Sequence, residues 1–270
     1  MMTKNIKLGP HETQLLFTLE EKGIAFFDFQ TAKKILNISD SSVQNLLYRL
    51  KHKNRITELE KGKYVLNPAK SGPGGFWSEN AFLVTHHLVK EYYLGFWSAL
   101  SYWGFTEQLP QTVLAATPHR KKTVFYSGQK IQFIAIARKR FFGFVQQEAE
   151  GGVFRIASKE KAILDALTYP KYCGGLIEVT KALWNAKKDL NWQLMLAYLD
   201  ELDVGAVTRR LGYLLQVLEI QKTVQKKLKK RFNGFRWLDP SKAKTIKAYS
   251  KEWGLQLNLT LEELLSWRGS

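Results

Sequence analysis

Ser41, Ser42, Gln44, Asn45, Tyr48, Arg49 and His52 fall on the polar side of one short helical pattern, and their types suit the reading of base edges. Asn and Gln bond adenine bidentately, Arg bonds guanine, and Ser adapts to either. Lys53, Arg55, Lys61 and Lys63 follow directly. Such cations meet phosphates, which positions a protein on a duplex without reading its sequence. The same polar side also suits bulk water or a protein partner, so the elements that carry it must decide between these uses.

Those elements form a short series. Pro10, tolerated at a first helical position, opens a helix with Leu15, Leu16 and Leu19 on one face, which stops at Gly23. Asp28 is a good N-cap for a second helix that carries Phe29, Ala32, Ile35 and Leu36. After Asn37, Ile38 and Ser39, a third helix places Val43, Leu46, Leu47 and Leu50 at i, i+3, i+4 and i+7, the spacing of a buried stripe. Two alternating runs, residues 55–60 and 64–66, flank a Lys61-Gly62-Lys63 turn and read as a β-hairpin with a basic tip. Three helices and a basic hairpin in this order are the layout of a winged helix-turn-helix.

The chain has 270 residues, enough for about two domains. A Pro- and Gly-rich break at residues 67–75 separates an expected winged helix-turn-helix over 1–70 from a mixed α+β domain over 76–270. In the second part an aromatic helical segment spans 82–105. Strand-like runs follow at 112–117, 123–127, 130–137 and 141–145, with a further one at 153–156, and suggest a small antiparallel sheet. Ser158 caps a helix, residues 176–228 read mainly as helices, and 255–267 reads as one more amphipathic helix. The fold class expected is α+β.

Forty-one Lys and Arg against twenty-four Asp and Glu leave a formal charge of +17, a field suited to a polyanion. The excess sits at the ends: twelve basic against seven acidic residues in 1–70, and fourteen against five in 206–270. Within the latter, Lys222, Lys226, Lys229, Lys230 and Arg231 form a second basic surface. It suits further phosphates, an acidic protein or RNA, or simply water.

Catalytic patterns are not assembled. His86 and His87 are adjacent and cannot share one metal in the i, i+4 manner, and the Gly-rich break lacks the Lys-Ser/Thr of a phosphate loop. The single cysteine, Cys173, cannot form an internal disulfide. No apolar run reaches the length of a membrane span and none opens the chain, so the expectation is a cytoplasmic protein with no membrane partner, cofactor or metal.

Three stretches carry a resemblance. The segment Tyr92-Tyr93-Leu94-Gly95-Phe96-Trp97-Ser98-Ala99-Leu100-Ser101-Tyr102-Trp103-Gly104-Phe105, running on to Pro110, resembles the signature of AbiEi-family antitoxins. Residues 157–167, with Lys159-Glu160-Lys161 and Asp165, are similar to that family's helix after the sheet, and Arg209-Arg210-Leu211-Gly212-Tyr213 resembles its later Arg-Leu-Gly-Tyr helix. Trp103 stands where the family often has His. The resemblance implies a transcriptional repressor of a type IV toxin–antitoxin, phage-abortive system. Such a repressor binds inverted repeats in its own promoter as double-stranded DNA, and neutralises a nucleotidyltransferase-type toxin. It also implies that Ser41, Gln44, Asn45, Tyr48 and Arg49 are the readers, with Lys61 and Lys63 on the wing. Two alternatives stand beside it: a winged-helix regulator without a toxin partner, and a nucleic-acid-processing enzyme that uses the winged helix to deliver substrate.

Overall fold

The computed structural model describes residues 7–72, 80–150, 152–229 and 231–269. It shows a mixed α+β chain, with eleven α-helices and three small sheets among those residues. Two compact units emerge: one of residues 1–90, 123–131 and 148–154, the other of 91–122, 132–147 and 155–270. Part of the Pro- and Gly-rich break, residues 73–79, lies outside the described residues, as does Lys230.

In the first unit α1 (Pro10–Glu21), β1 (Phe26–Asp28), α2 (Phe29–Leu36), α3 (Asp40–His52), β2 (Ile56–Glu60), β3 (Lys63–Leu66) and α4 (Ala81–Leu88) follow in order. Local chemistry sets the helix ends. Asp28 accepts from the Thr31 N–H at 2.8 Å, Asn37 closes α2 in the left-handed region at φ 50°, and the Ser39 hydroxyl accepts from the Ser42 N–H at 3.3 Å. One apolar cluster gathers Leu15 and Leu19 from α1, Ala32 and Leu36 from α2, and Val43, Leu46, Leu47 and Leu50 from α3. Each such side chain gains about 1.5–3 kcal/mol over exposure. That preference fixes which side of α3 turns inward. The sheet has the order β1-β3-β2, all antiparallel, with Phe26 opposite Val65 and Ile56 opposite Leu66. Strand β1 is an addition to the sequence reading, which saw only a helix cap there.

Next come β4 (Tyr93–Leu94), α5 (Phe96–Tyr102), β5 (Thr112–Thr117), β6 (Val124–Tyr126), β7 (Gln129–Ala135), β8 (Phe144–Ala149) and β9 (Gly152–Ala157). Their sheet has the order β6-β7-β5-β4-β9-β8. It is larger than expected, and not purely antiparallel, because β4 runs parallel to β9 with Leu94 opposite Ile156. The continuous helix expected over 82–105 is therefore interrupted. Tyr92, Tyr93 and Leu94 are buried in succession, which suits a strand covered on both faces. The strand expected at 141–145 starts later, at Phe144, after a 3-10 turn at Arg138–Arg140.

The second unit also holds α6 (Lys159–Thr168), α7 (Leu176–Ala186), α8 (Trp192–Leu202), α9 (Gly205–Val217) and α10 (Lys222–Leu228). It ends with β10 (Arg236–Trp237), β11 (Ala248–Ser250), β12 (Leu255–Leu257) and α11 (Leu261–Leu265). The single amphipathic helix expected over 255–267 is instead a strand and a short helix. Leu255 and Leu257 are buried while Gln256 between them is not, a period of two, and Thr260 then caps α11 through the Glu263 N–H at 3.1 Å. Strands β10, β12 and β11 make a third sheet in that order. Among the described residues no helix is long and apolar enough to cross a membrane.

Candidate nucleic-acid interface

Helix α3 buries Val43, Leu46, Leu47 and Leu50 and leaves Ser41, Ser42, Gln44, Asn45, Tyr48, Arg49 and His52 exposed. The seven are not equivalent. Ser41 and Ser42 gather around the cap, their hydroxyls 3.2 and 2.9 Å from that of Ser39. Tyr48 is 61% exposed and lies edge-on to His52 one turn later, with centroids 4.3 Å apart. Gln44, Asn45, Tyr48, Arg49 and His52 thus form one outward polar surface. Asp40 near the start of α3 and Arg49, Lys51 and His52 near its end complement the helix dipole.

Glu12 organises the underside of this surface. Its carboxylate is 2% exposed and accepts from the Gly9 N–H at 2.8 Å, from Lys53 Nζ at 2.6 Å and from Arg49 Nε at 3.1 Å. Burial alone would raise its pKa, but Lys53, the Gly9 amide and Arg49 outweigh that and hold it below the usual glutamate value. Only Nε of Arg49 is engaged by Glu12, and the side chain stays 56% exposed, so the two Nη groups remain available for a bidentate contact. Sequence reading passed over Glu12. Its signal was a carboxylate three residues after Gly9 at a helix start, the N3 position of a capping box.

The four cations assigned to phosphates separate in the structure. Lys53 also donates to the Lys7 carbonyl at 2.8 Å, so its ammonium ties the start of α1 to the end of α3. Arg55 is buried and donates to the Gly72 carbonyl at 2.7 Å. Lys63 is held by Glu60 Oε1 at 2.8 Å and the Leu88 carbonyl at 2.9 Å. Of the four, Lys61 alone is exposed, at the β2–β3 turn where Gly62 takes φ 79°. The hairpin is less basic than its lysines suggest, because Glu58 pairs with Lys51 at 2.5 Å and Glu60 with Lys63.

The second basic surface sits on α10, a separate helix beyond α9. Lys222 and Lys226 are exposed one turn apart, Lys229 is ion-paired with Glu252, and Arg231 is exposed. A smaller basic cluster in the same unit is partly neutralised, since Arg138 and His119 bond Glu91 and hold its carboxyl down at about 2.

Lys161, Tyr93 and Cys173, three groups capable of covalent chemistry, are enclosed. Lys161, fully buried, donates to the Tyr93 hydroxyl at 2.9 Å and pairs with Asp165, to which Tyr93 donates at 2.9 Å. Burial, followed by the Asp165 charge, raises the Tyr93 hydroxyl and the Cys173 thiol well above their ordinary values. Neither is an activated nucleophile at neutral pH. His87 is exposed by surface area, yet its ring stacks on Phe26 with centroids 3.8 Å apart, and the partial desolvation of that packing, with His86 and Lys63, lowers it to about 4. Among the described residues no three His, Cys, Asp or Glu side chains converge as metal ligands.

No protein-family description matches the chain, and no curated protein does. The chain is similar to a solved structure, the crystal structure of RV2827C protein from Mycobacterium tuberculosis, with a TM-score of 0.72 and 13% identity. The match covers 98% of this chain and 96% of that one. At that identity the likeness is one of fold.

Proposed function

We propose that residues 10–66 act as a winged helix-turn-helix and that the chain is a DNA-binding transcriptional repressor. The observation that carries this reading is the exposed row Gln44, Asn45, Tyr48, Arg49 and His52 on a helix whose opposite side is locked by four buried apolar residues. A rigid helix with an outward row of base-reading side chains suits a major groove, which is wide enough to admit it. The order of α1, β1, α2, α3 and the β2–β3 hairpin is that of winged domains, and Lys61 at the turn is placed to meet a phosphate.

Fluorescence anisotropy with DNA from upstream of the chain's own gene tests the reading. The native chain should prefer that duplex over a scrambled one. Asn45→Ala and Arg49→Ala should each cost about 1–3 kcal/mol of that preference. Equal affinity for both duplexes, untouched by either substitution, would refute it.

The repressor is further read as the antitoxin of a type IV system, working in the cytoplasm against a nucleotidyltransferase-type toxin. Support comes from the AbiEi-like stretches. Tyr93, Lys161, Asp165, Arg209 and Arg210 from those stretches are buried and mutually or backbone-bonded, so the likeness concerns the framework of the second unit. Co-expression with the neighbouring gene product separates the antitoxin from a regulator without a toxin: the former restores growth, the latter does not.

A further inference from the structure

In the sheet β10-β12-β11 the central strand turns one set of side chains into the core and the alternate one outward. Leu255 and Leu257 are buried on the inner face. Tyr249 pairs across to Gln256, which pairs in turn with Trp237, so these three side chains share the outer face. Phe235 lies two residues before Trp237 and joins them. The rings of Phe235 and Tyr249 meet with centroids 5.2 Å apart at 72°. Both remain well exposed, at 41% and 51%. A sheet face carrying two well-exposed rings, the half-buried Trp237 and one amide is costly to leave in water, and its rings are flat surfaces of base size.

The charge around this face is one-sided. Residues 231–254 contain six Lys or Arg against two acids, Asp239 and Glu252. Neither acid is available to offset them: Asp239 is fully buried and accepts from the Leu176 and Ser241 amides, and Glu252 is paired with Lys229. Lys247 is bonded to Glu263 at 2.7 Å and Lys242 also acts on that carboxylate, while Lys242, Lys244 and Lys251 all stand exposed. Rings that stack bases, flanked by cations that follow a phosphate chain, are the two parts of a single-strand binding surface. The exposed lysines favour a polyanion over an apolar protein partner, and the rings favour one with unpaired bases.

We infer that the outer face of β10-β12-β11, through Phe235, Trp237 and Tyr249, binds single-stranded nucleic acid, at a site separate from α3. Bases stack on the rings, phosphates lie along Lys242, Lys244 and Lys251, and Gln256 supplies the central hydrogen-bonding group. Stacking needs unpaired bases, so duplex is excluded from this face. Three phosphate contacts give a salt slope of about −2 on a single strand.

The test is anisotropy of the full chain with labelled 12-nucleotide RNA, DNA of the same sequence, and the corresponding duplex. It is run in the parent and in an Asn45→Ala/Arg49→Ala background that removes the α3 contribution. The single strands should bind in both backgrounds, which keeps this inference separable from the repressor reading. Phe235→Ala/Tyr249→Ala should weaken single-strand binding by about tenfold or more, since each stacked base contributes substantially. Tyr249→Phe, which keeps a stacking ring and leaves the fold untouched, should retain it. Stronger binding of RNA than DNA, erased by Gln256→Ala, would assign a 2′-hydroxyl contact; equal binding would assign stacking alone, and either supports the site. The inference is overturned if the double alanine variant binds single strands as the parent does, if Tyr249→Phe loses as much as the alanine variant, or if the duplex binds the α3-deficient background as tightly as the single strands.

Discussion

Replacing Glu12 by Gln isolates the interaction that joins the start of α1 to the recognition face. The carboxylate accepts from the Gly9 amide, Lys53 and Arg49 while 2% exposed. Removing one member of a buried ion pair costs about 3–5 kcal/mol when its partner is left stranded. Here the partners are not sealed: the Lys53 and Arg49 side chains are 30% and 56% exposed and can return to water. What remains is a weakened N-terminal cap, about 1 kcal/mol, and part of the charge-assisted bonds, so the expected loss is about 2 kcal/mol. Native-state hydrogen exchange of the α1 and α3 amides reads it directly. The pH dependence has a definite sign. The folded pKa of Glu12 is lowered, so its contribution is present above the ordinary glutamate range and disappears as pH falls through the folded value. Parent and variant should therefore differ most at neutral pH and converge in acid. A loss below about 0.5 kcal/mol, the size of an ordinary surface substitution, or a difference that persists unchanged at low pH, would show that Glu12 does not organise this junction.

Other outcomes follow from the same geometry. Lys61→Ala should lower the slope of log affinity against log salt on duplex DNA by about 0.9, whereas Arg55→Ala should leave that slope unchanged and reduce thermal stability, because its guanidinium is spent on the Gly72 carbonyl. Gly212→Ala would bring a methyl group to 1.9 Å from the ring of Trp253, which is fully buried, and should destabilise the second unit by at least about 1–3 kcal/mol in urea melts. Lys161→Met leaves Asp165 buried beside Tyr93 without its cation and should cost about 3–5 kcal/mol, while Lys161→Met/Asp165→Leu should cost less than the sum of the single changes.

Much of the first unit was legible because its signals are local. Asp28 and Ser39 cap within three residues, Asn37 closes α2 within four, and the stripe on α3 spans eight consecutive positions. The second unit was harder to read. Its aromatic segment holds Tyr93–Leu94 as a strand only because β5 and β9 lie on either side, and neither partner is near in sequence. Between 228 and 255 the sequence reading placed no element, and Phe235 and Trp237 gain meaning only when β12 brings Tyr249 alongside.

Periodicity by itself decided which side of α3 faces outward, since 3.6 residues per turn and the hydrophobicity of contiguous residues are properties of the chain alone. Which cations stay available was decided by tertiary structure. Lys53 meets Glu12 from 41 residues away, Arg55 meets Gly72 from 17, and Lys63 meets Leu88 from 25. A long flexible ammonium or guanidinium takes the acceptor that folding delivers, and no local pattern says where that acceptor will be.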